Sequence, residues 1–283
     1  MSARIAILGT GRMGSAIARC LASFEPTLWN RTRSRAEQVG VGRVAATPAD
    51  AARDADVVIL SLTGADAVRA ALGGPDGALT AAHGQLFIEM STSGPAVVEE
   101  LAAQLHASGS ALIAAPIMGA PTVVLRGAAA ILAGGAPDDV ARARPVLELL
   151  GEVRHVGPLG SGARLKLVAN SMLAVVVSAA AELQVAGEAA GLDPEQVFWV
   201  LVRLAPALEM RRAGYLQRRH QPTLFAVRDL LKDLDLAREL FGQSEAQTPL
   251  TACARTIVEE AAASAPDLEI TAVITRYTPP PAR

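Results

Sequence analysis

The chain has 283 residues, more than the roughly 250 at which a single hydrophobic core stops growing, which predicts two domains. Its residues are 51% hydrophobic and 19% charged, a composition that argues against a disordered protein. The net charge of −2 and the aromatic content of 3% argue against a nucleic-acid partner, which needs a basic surface and stacking rings.

The cysteines and the start of the chain bear on the compartment. Cys20 and Cys253 lie far apart and outside any CxxC pattern, so we expect neither a disulfide framework nor a metal site. The chain enters the apolar run 5–8 without the features of a signal peptide, which favours a cytoplasmic protein. The most apolar helical stretch, residues 173–181, is shorter than the roughly 18 residues of a membrane span, so we expect a buried helix and no membrane partner.

Short apolar runs alternate with alanine-rich helical stretches in the first half of the chain. The predicted strands are residues 5–8, 27–29, 57–61, 86–89, 111–114 and 129–133. Alternation of this kind indicates parallel strands joined by right-handed crossover helices. We therefore predict an α/β fold with a doubly wound parallel sheet, a Rossmann domain, over residues 1–158.

The pattern changes after Gly162. Residues 163 to about 190 contain almost no helix breaker and predict one long interdomain helix. Residues 193–263 predict further helices, with stops at Pro206, Gly214, Pro222 and Gly242. Residues 159–283 thus form the long helix and a predicted all-α domain, ending in a disordered tail over residues 278–283.

A glycine-rich turn follows the first predicted strand and reads Gly9-Thr10-Gly11-Arg12-Met13-Gly14. A GxGxxG pattern between a strand and an apolar-periodic helix is typical of dinucleotide binding. It supplies a tight turn, room for the pyrophosphate near the backbone, and close packing of strand and helix. The alternative is an ordinary glycine-rich turn.

The end of the second predicted strand indicates which dinucleotide binds. NAD-selective proteins place an acidic residue there for the ribose 2′-hydroxyl, whereas this sequence reads Asn30-Arg31-Thr32-Arg33-Ser34-Arg35. Arg31 and Arg35, with the Thr32 hydroxyl, are donors suited to a 2′-phosphate. We therefore predict NADP(H), the alternative being a solvated basic helix start.

Five segments in this order resemble the β-hydroxyacid dehydrogenase family, which includes 3-hydroxyisobutyrate dehydrogenases and glyoxylate/succinic semialdehyde reductases and is related to imine reductases. The resemblance covers nearly the whole chain. The segments are the glycine turn with Asn30-Arg31-Thr32; Glu89-Met90-Ser91-Thr92; Ala115-Pro116-Ile117-Met118-Gly119-Ala120 with Gly134-Gly135; Gly160 to Asn170; and Lys232-Asp233-Leu234-Asp235-Leu236-Ala237.

The resemblance implies an oxidoreductase that transfers hydride between NADP(H) and a small β-hydroxy acid or semialdehyde. It identifies Lys166 as the catalytic general acid/base and Asn170 as its partner. Their spacing agrees, because residues four apart share a helix face. A solvated lysine is the alternative for Lys166.

Other site residues rest on the resemblance alone. It implies cofactor contacts at Leu62, Thr63, Thr92 and Lys232. It also implies substrate contacts at Met118, Gly119, Ala120, Phe225 and Asp233. As alternatives, Phe225 is a core residue, Thr92 a helix cap before Pro95, and Lys232 with Asp233 a solvated helix face.

The substrate loop departs from the family pattern Pro-Val-Ser-Gly-Gly, because Met118 stands where the serine is expected. Methionine is bulky and a poor hydrogen-bond partner, which favours a more apolar substrate site. Alternatively Met118 points away and backbone amides bind the carboxylate. The departure leaves an NADPH-dependent imine reductase as the second hypothesis, and a non-catalytic NADP-binding module as the third. The expected partners are a small-molecule substrate and a second copy of the chain, in a homodimer formed through the helical domain.

Overall fold

The computed structural model describes residues 3–278. The chain divides into two compact units, Met1–Lys166 and Leu167–Arg283. Beyond Thr278, the predicted disordered tail lies outside the described residues.

The first unit contains one nine-stranded sheet. Its strands are β1 (Ile5–Leu8), β2 (Thr27–Trp29), β3 (Arg43–Val44), β4 (Val57–Leu60), β5 (Leu86–Glu89), β6 (Ala111–Ala114), β7 (Ile117–Met118), β8 (Ala129–Gly134) and β9 (Gly151–Gly157). The strand order is β3-β2-β1-β4-β5-β6-β8-β7, with β9 paired to β8. The first six strands in this order, β1 to β6 by number, run parallel, as predicted for a doubly wound sheet.

Helices cover both faces of this sheet. They are α1 (Arg12–Cys20), α2 (Arg33–Glu37), α3 (Pro48–Ala52), α4 (Ala65–Leu72), α5 (Pro95–His106), α6 (Pro121–Val124) and α7 (Pro137–Leu147), with 3₁₀ turns at Ala22–Phe24 and Ala78–Ala81. Alternate residues of β1 enter opposite cores: Ile5 and Ile7 pack in the core that includes Ile17, and Leu8 in the core that includes Leu101. Both faces of the parallel sheet are therefore buried, which explains why its strands read as continuous apolar runs.

The direction of β8 is a correction to the sequence analysis, which predicted parallel strands throughout. β8 runs antiparallel to β6 and to β7. The cause is the short connection after β6, which contains β7 and pairs it directly with β8 at Ile117 and Ile131. The connection from β7 to β8 contains only the one-turn helix α6, which is too short for the crossover that a parallel pair needs.

The second unit is built from helices around one apolar core. The long helix α8 (Ser161–Ala189) enters it, followed by α9 (Pro194–Leu204), α10 (Arg212–Gln217), α11 (Val227–Gln243), α12 (Pro249–Ser264) and 3₁₀ segments at Pro206–Arg211 and Ile270–Arg276. The core includes Val177, Phe198 and Tyr215. The Tyr215 hydroxyl donates to the Val177 carbonyl at 3.2 Å, so its one polar group is satisfied.

One of the predicted helix stops, at Gly214, is wrong. Gly214 lies inside α10. A Cβ atom there would lie 2.2 Å from Thr271 Oγ1, so close packing and not a helix end explains the glycine. The stop predicted at Gly242 is confirmed to within one residue, because α11 ends at Gln243.

A buried ion pair crosses the second unit. Arg211 Nε donates to Glu269 Oε1 at 2.9 Å, and both side chains are 7% exposed. The other carboxylate oxygen of Glu269 accepts from the backbone amides of Leu224 and Phe225, at 2.7 and 2.8 Å. Glu269 therefore holds the loop that carries Phe225.

The length and apolarity of α8 are enough to cross a membrane by composition alone, with a mean hydropathy of 1.5 over its best window. The sequence analysis, which counted uninterrupted apolar residues, underestimated this. Half of that window is buried inside the chain, and a core helix of a globular protein meets the same criterion. The absence of a membrane partner stays a prediction.

Candidate active site

The glycine turn between β1 and α1 has the geometry that its sequence predicts. Gly9 adopts φ +101°, and a Cβ atom there would lie 2.2 Å from the Ser61 carbonyl oxygen. At Gly14 a Cβ atom would lie 1.9 Å from the Gly9 carbonyl oxygen. A side chain at Gly9 would therefore push the turn away from the end of β4, and one at Gly14 would push α1 away from the turn.

The same turn fits the phosphates of a dinucleotide. A Cβ atom on Gly11 would meet nothing within 4 Å, so the backbone is open to a ligand there. Thr10 Oγ1 is buried without a hydrogen-bond partner. The first turn of α1 has no acidic residue and no side-chain cap. An open backbone, an unsatisfied hydroxyl and an uncapped helix N-terminus are the features that bind a pyrophosphate.

Asn30 holds the glycine turn against the end of β2. Its Oδ1 accepts from the Thr10 amide at 3.0 Å, and its Nδ2 donates to the Thr32 carbonyl at 3.0 Å. The side chain thus connects the turn to the loop that the sequence analysis assigned to the ribose phosphate.

The charges at the end of β2 are positive. Arg33 pairs with Glu37 at 2.8 Å, and Glu37 is the first carboxylate after the strand. Arg31 and Arg35 are exposed, and within residues 3–278 neither forms an ion pair. Two guanidinium groups therefore remain available to an anion.

The loops after β4 and β5 lie side by side, because Leu60 pairs with Glu89 at the last position of the two strands. The Leu62 amide donates to Ser91 Oγ at 2.9 Å. Thr92 is half-buried, and it lies two residues before Gly94, the N-cap of helix α5. The two loops therefore bring together the segments that contain Leu62, Thr63 and Thr92.

Lys166 lies in the second turn of α8. The first turn of that helix packs tightly on the sheet, since a Cβ atom on Gly162 would lie 2.1 Å from the Leu132 carbonyl oxygen. This packing brings Lys166 Nζ to 2.7 Å from the carbonyl oxygen of Ile117. The half-buried lysine thus contacts the strand that contains Met118.

The predicted substrate loop, residues 118–120, follows Ile117 directly in the chain. Met118 is 41% exposed and pairs with Ala130 across the β7–β8 ladder. Gly119 adopts φ +150°, and Ala120 precedes α6. The side chains at positions 118 to 120 provide no hydroxyl, which leaves backbone groups and Lys166 as the polar atoms of this segment.

Three of the remaining predicted residues form one cluster in the second unit. Asn170 Nδ2 donates to Asp233 Oδ2 at 2.5 Å, and Lys232 Nζ donates to Asp233 Oδ1 at 2.5 Å. Asn170 is 3% exposed and Asp233 is 2% exposed, so Asp233 is not on a solvated helix face. Phe225 is half-buried against the helical core, in agreement with its interpretation as a core residue.

Sequence reasoning missed the side chains that support these loops. Glu89 is 1% exposed, and it accepts from the hydroxyls of Ser91 and Ser93. One signal was visible: an acidic residue ends an otherwise apolar strand. A buried carboxylate requires donors, so its neighbours were candidates for a polar cluster.

Two family models match the chain over almost its full length. Residues 4–158 match the NAD binding domain of 6-phosphogluconate dehydrogenase. Residues 160–277 match the NAD-binding domain of NADP-dependent 3-hydroxyisobutyrate dehydrogenase. The chain is therefore an NAD(P)-binding oxidoreductase.

Individual relatives narrow this class. The chain is 30% identical to the 3-sulfolactaldehyde reductase of Escherichia coli, over 93% of this chain and 91% of that protein. It is 30% identical to the NAD-dependent L-serine dehydrogenase of Pseudomonas aeruginosa, over 87% and 88%. The structure of Mycobacterium tuberculosis 3-hydroxyisobutyrate dehydrogenase with L-serine superposes with a TM-score of 0.83 at 27% identity, covering 99% and 100%. The chain belongs to the β-hydroxyacid dehydrogenase family, as its motifs predicted.

Proposed function

We propose that this chain transfers hydride between NADP(H) and a small β-hydroxy acid or the corresponding semialdehyde, with Lys166 as the general acid/base. The observation that carries the proposal is the 2.7 Å contact between Lys166 Nζ and the Ile117 carbonyl, which holds an amine beside the segment 118–120. The relatives named for 3-sulfolactaldehyde and L-serine support a three-carbon substrate with an anionic group.

The residues divide the chemistry as follows. The nicotinamide, when bound, supplies or accepts the hydride. Lys166 donates a proton to the carbonyl oxygen, where negative charge develops during reduction, and takes it back from the hydroxyl during oxidation. Asn170, its amide nitrogen held by Asp233, orients the lysine or the substrate oxygen.

We propose NADP(H) over NAD(H) from the charges after β2. Arg31 and Arg35 would bind the 2′-phosphate with the Thr32 hydroxyl. The turn residues from Gly9 to Gly14, with Asn30, would bind the pyrophosphate of the cofactor. Leu62, Thr63, Thr92 and Lys232 would contact the rest of the cofactor.

Replacement of Arg31 by alanine is expected to lower kcat/KM for NADPH at least about tenfold, the value of one lost charge-assisted hydrogen bond. The value for NADH should stay within about twofold, since NADH lacks the phosphate. Arg33→Ala is the matched control, because that guanidinium already pairs with Glu37. Steady-state kinetics with both cofactors make the measurement, and equal use of NADH and NADPH by the unaltered protein would refute the preference.

A panel of semialdehydes, short hydroxy acids and cyclic imines with NADPH tests the reaction itself. We expect turnover with the carbonyl and hydroxyl compounds, and preferential turnover of imines would favour the imine reductase alternative. Robust turnover of any kind excludes a non-catalytic module.

Met118→Ser is expected to raise kcat/KM for carboxylate-bearing substrates about tenfold, because a hydroxyl donates a charge-assisted hydrogen bond worth about 1.5 kcal/mol. Met118→Leu, which is apolar and of similar size, is the control. A neutral aldehyde should not distinguish the two variants. If both variants respond alike to a carboxylate substrate, position 118 does not face it.

We also propose a cytoplasmic homodimer, with residues 1–158 as the cofactor-binding domain and residues 159–283 as the substrate and dimerisation domain. Cys20 and Cys253 are free thiols, as a reducing compartment allows. Exposed apolar side chains support the dimer: Met172, Leu183, Trp199, Val200 and Leu204. Light scattering at micromolar concentration tests the dimer, and a monomeric mass would contradict it.

A further inference from the structure

A buried polar cluster lies where β4 and β5 end. The Glu89 carboxylate accepts from Ser93 Oγ at 2.9 Å and from Ser91 Oγ at 3.2 Å. Ser91 Oγ in turn accepts from the Leu62 amide at 2.9 Å. One hydroxyl therefore joins the loops that follow two neighbouring strands.

The Ser91 hydroxyl continues the hydrogen bonding between β4 and β5 beyond the last backbone bond of the ladder. The last ladder bond between the strands is donated by the Met90 amide to the Leu60 carbonyl at 2.9 Å. The next link is the bond from the Leu62 amide to Ser91 Oγ. Glu89 orients that link, because the Ser91 hydroxyl donates its proton to the carboxylate at 3.2 Å and so turns a lone pair toward the Leu62 amide.

We propose that Ser91 is a positioning residue for the cofactor, and that Glu89 anchors it. Ser91 fixes the loop of Leu62 and Thr63 relative to Thr92, so that both loops meet the cofactor without a further ordering cost. The inference rests on the cofactor contacts of the proposed function. It adds a role for Glu89 and Ser91 that the family resemblance does not assign.

The chain contains a matched control at the opposite ends of the strands. Ser110 Oγ accepts from the Gly84 amide at 3.0 Å and donates to Gln85 Oε1 at 3.3 Å. It is 7% exposed and Ser91 is 8% exposed. Each serine thus accepts from a backbone amide and donates to a side-chain oxygen at the same depth, and Ser110 also accepts from Ser108 Oγ at 3.0 Å. Only Ser91 adjoins the proposed cofactor contacts.

The experiment compares Ser91→Ala with Ser110→Ala in the full chain. Amide hydrogen exchange without cofactor should show Leu62 losing protection about tenfold in Ser91→Ala, and Gly84 losing it in Ser110→Ala. Fluorescence titration should show the dissociation constants of NADPH and NADH both rising about tenfold in Ser91→Ala, the cost of one lost hydrogen bond. In Ser110→Ala both constants should stay within about twofold.

Faster exchange at Leu62 with unchanged dissociation constants would overturn the proposal. Equal loss of binding in the two variants would also overturn it, because the effect would then be general destabilisation. Failure of the NADP(H) proposal is distinguishable from failure of the Ser91 proposal, since the unaltered protein would then use NADH as well as or better than NADPH. The effect of Ser91 is the ratio of the dissociation constants of Ser91→Ala and the unaltered protein, measured with whichever dinucleotide binds.

Discussion

Replacement of Lys166 by alanine is expected to lower turnover about a thousandfold, within the range of a lost general acid. The dissociation constant for NADPH should stay within about twofold. The reason is that the proposed role of the amine concerns the oxygen on which charge develops, while the proposed phosphate contacts are in the glycine turn and after β2. Single-turnover reduction and fluorescence titration measure the two quantities separately.

Two further variants define what the lysine does. Lys166→Arg keeps the positive charge but cannot release a proton near neutral pH, so it should remain nearly inactive. Arg164→Ala is the control, because this exposed arginine lies nearby on the same helix and pairs with Glu99. Turnover above a tenth of normal in Lys166→Ala would contradict the assignment.

Replacement of Arg211 by methionine is expected to lower the free energy of unfolding by about 3 to 5 kcal/mol. The loss arises because Glu269 would keep a buried charge without its cation, while it still accepts from the amides of Leu224 and Phe225. Urea denaturation followed by circular dichroism measures the change.

The neighbouring Arg212 provides the comparison. It pairs with Glu195 and Glu209, but its side chain is 43% exposed, so Arg212→Met should cost about 1 kcal/mol or less. Equal losses in the two variants would mean that the Arg211 pair contributes no more than a surface ion pair. A loss confined to Arg211→Met would identify the pair as a stabilising element of the helical unit.

Local patterns predicted most of the fold. The parallel strands were visible because each is an apolar run buried on both faces, and α8 because its sequence lacks breakers. The strands that escaped prediction are short or lie at an edge. β3 and β7 have two residues each, and the sequence of β9 is interrupted by Glu152, Arg154 and His155.

The glycine turn of the candidate site was predictable from the sequence, whereas the side-chain pairs of the helical unit were not. The glycine turn carries its geometry in neighbouring residues, so the pattern was sufficient. The pairing of Asn170 with Asp233 joins residues 63 positions apart, and that of Arg211 with Glu269 joins residues 58 apart. Periodicity and capping do not encode such contacts, which arise only from tertiary packing.

Composition contained one signal that motif reasoning did not use. Lysine occurs only twice among the 26 basic residues, at positions 166 and 232. Arginine serves everywhere else, and it differs from lysine chiefly in being unable to lose its proton. At position 166 the proposed general acid/base must release and take up a proton, which an arginine does not do near neutral pH.

The bond from Lys166 to the Ile117 carbonyl also constrains how the protein can acquire new substrates. A substitution at Met118 that displaces β7, as a bulkier side chain would, also moves the adjacent Ile117 oxygen that holds the amine. Such a substitution is therefore expected to change the catalytic rate together with the substrate range. Compensating substitutions in an evolving lineage are expected at Ala130 and Ile131, the ladder partners that set the position of β7.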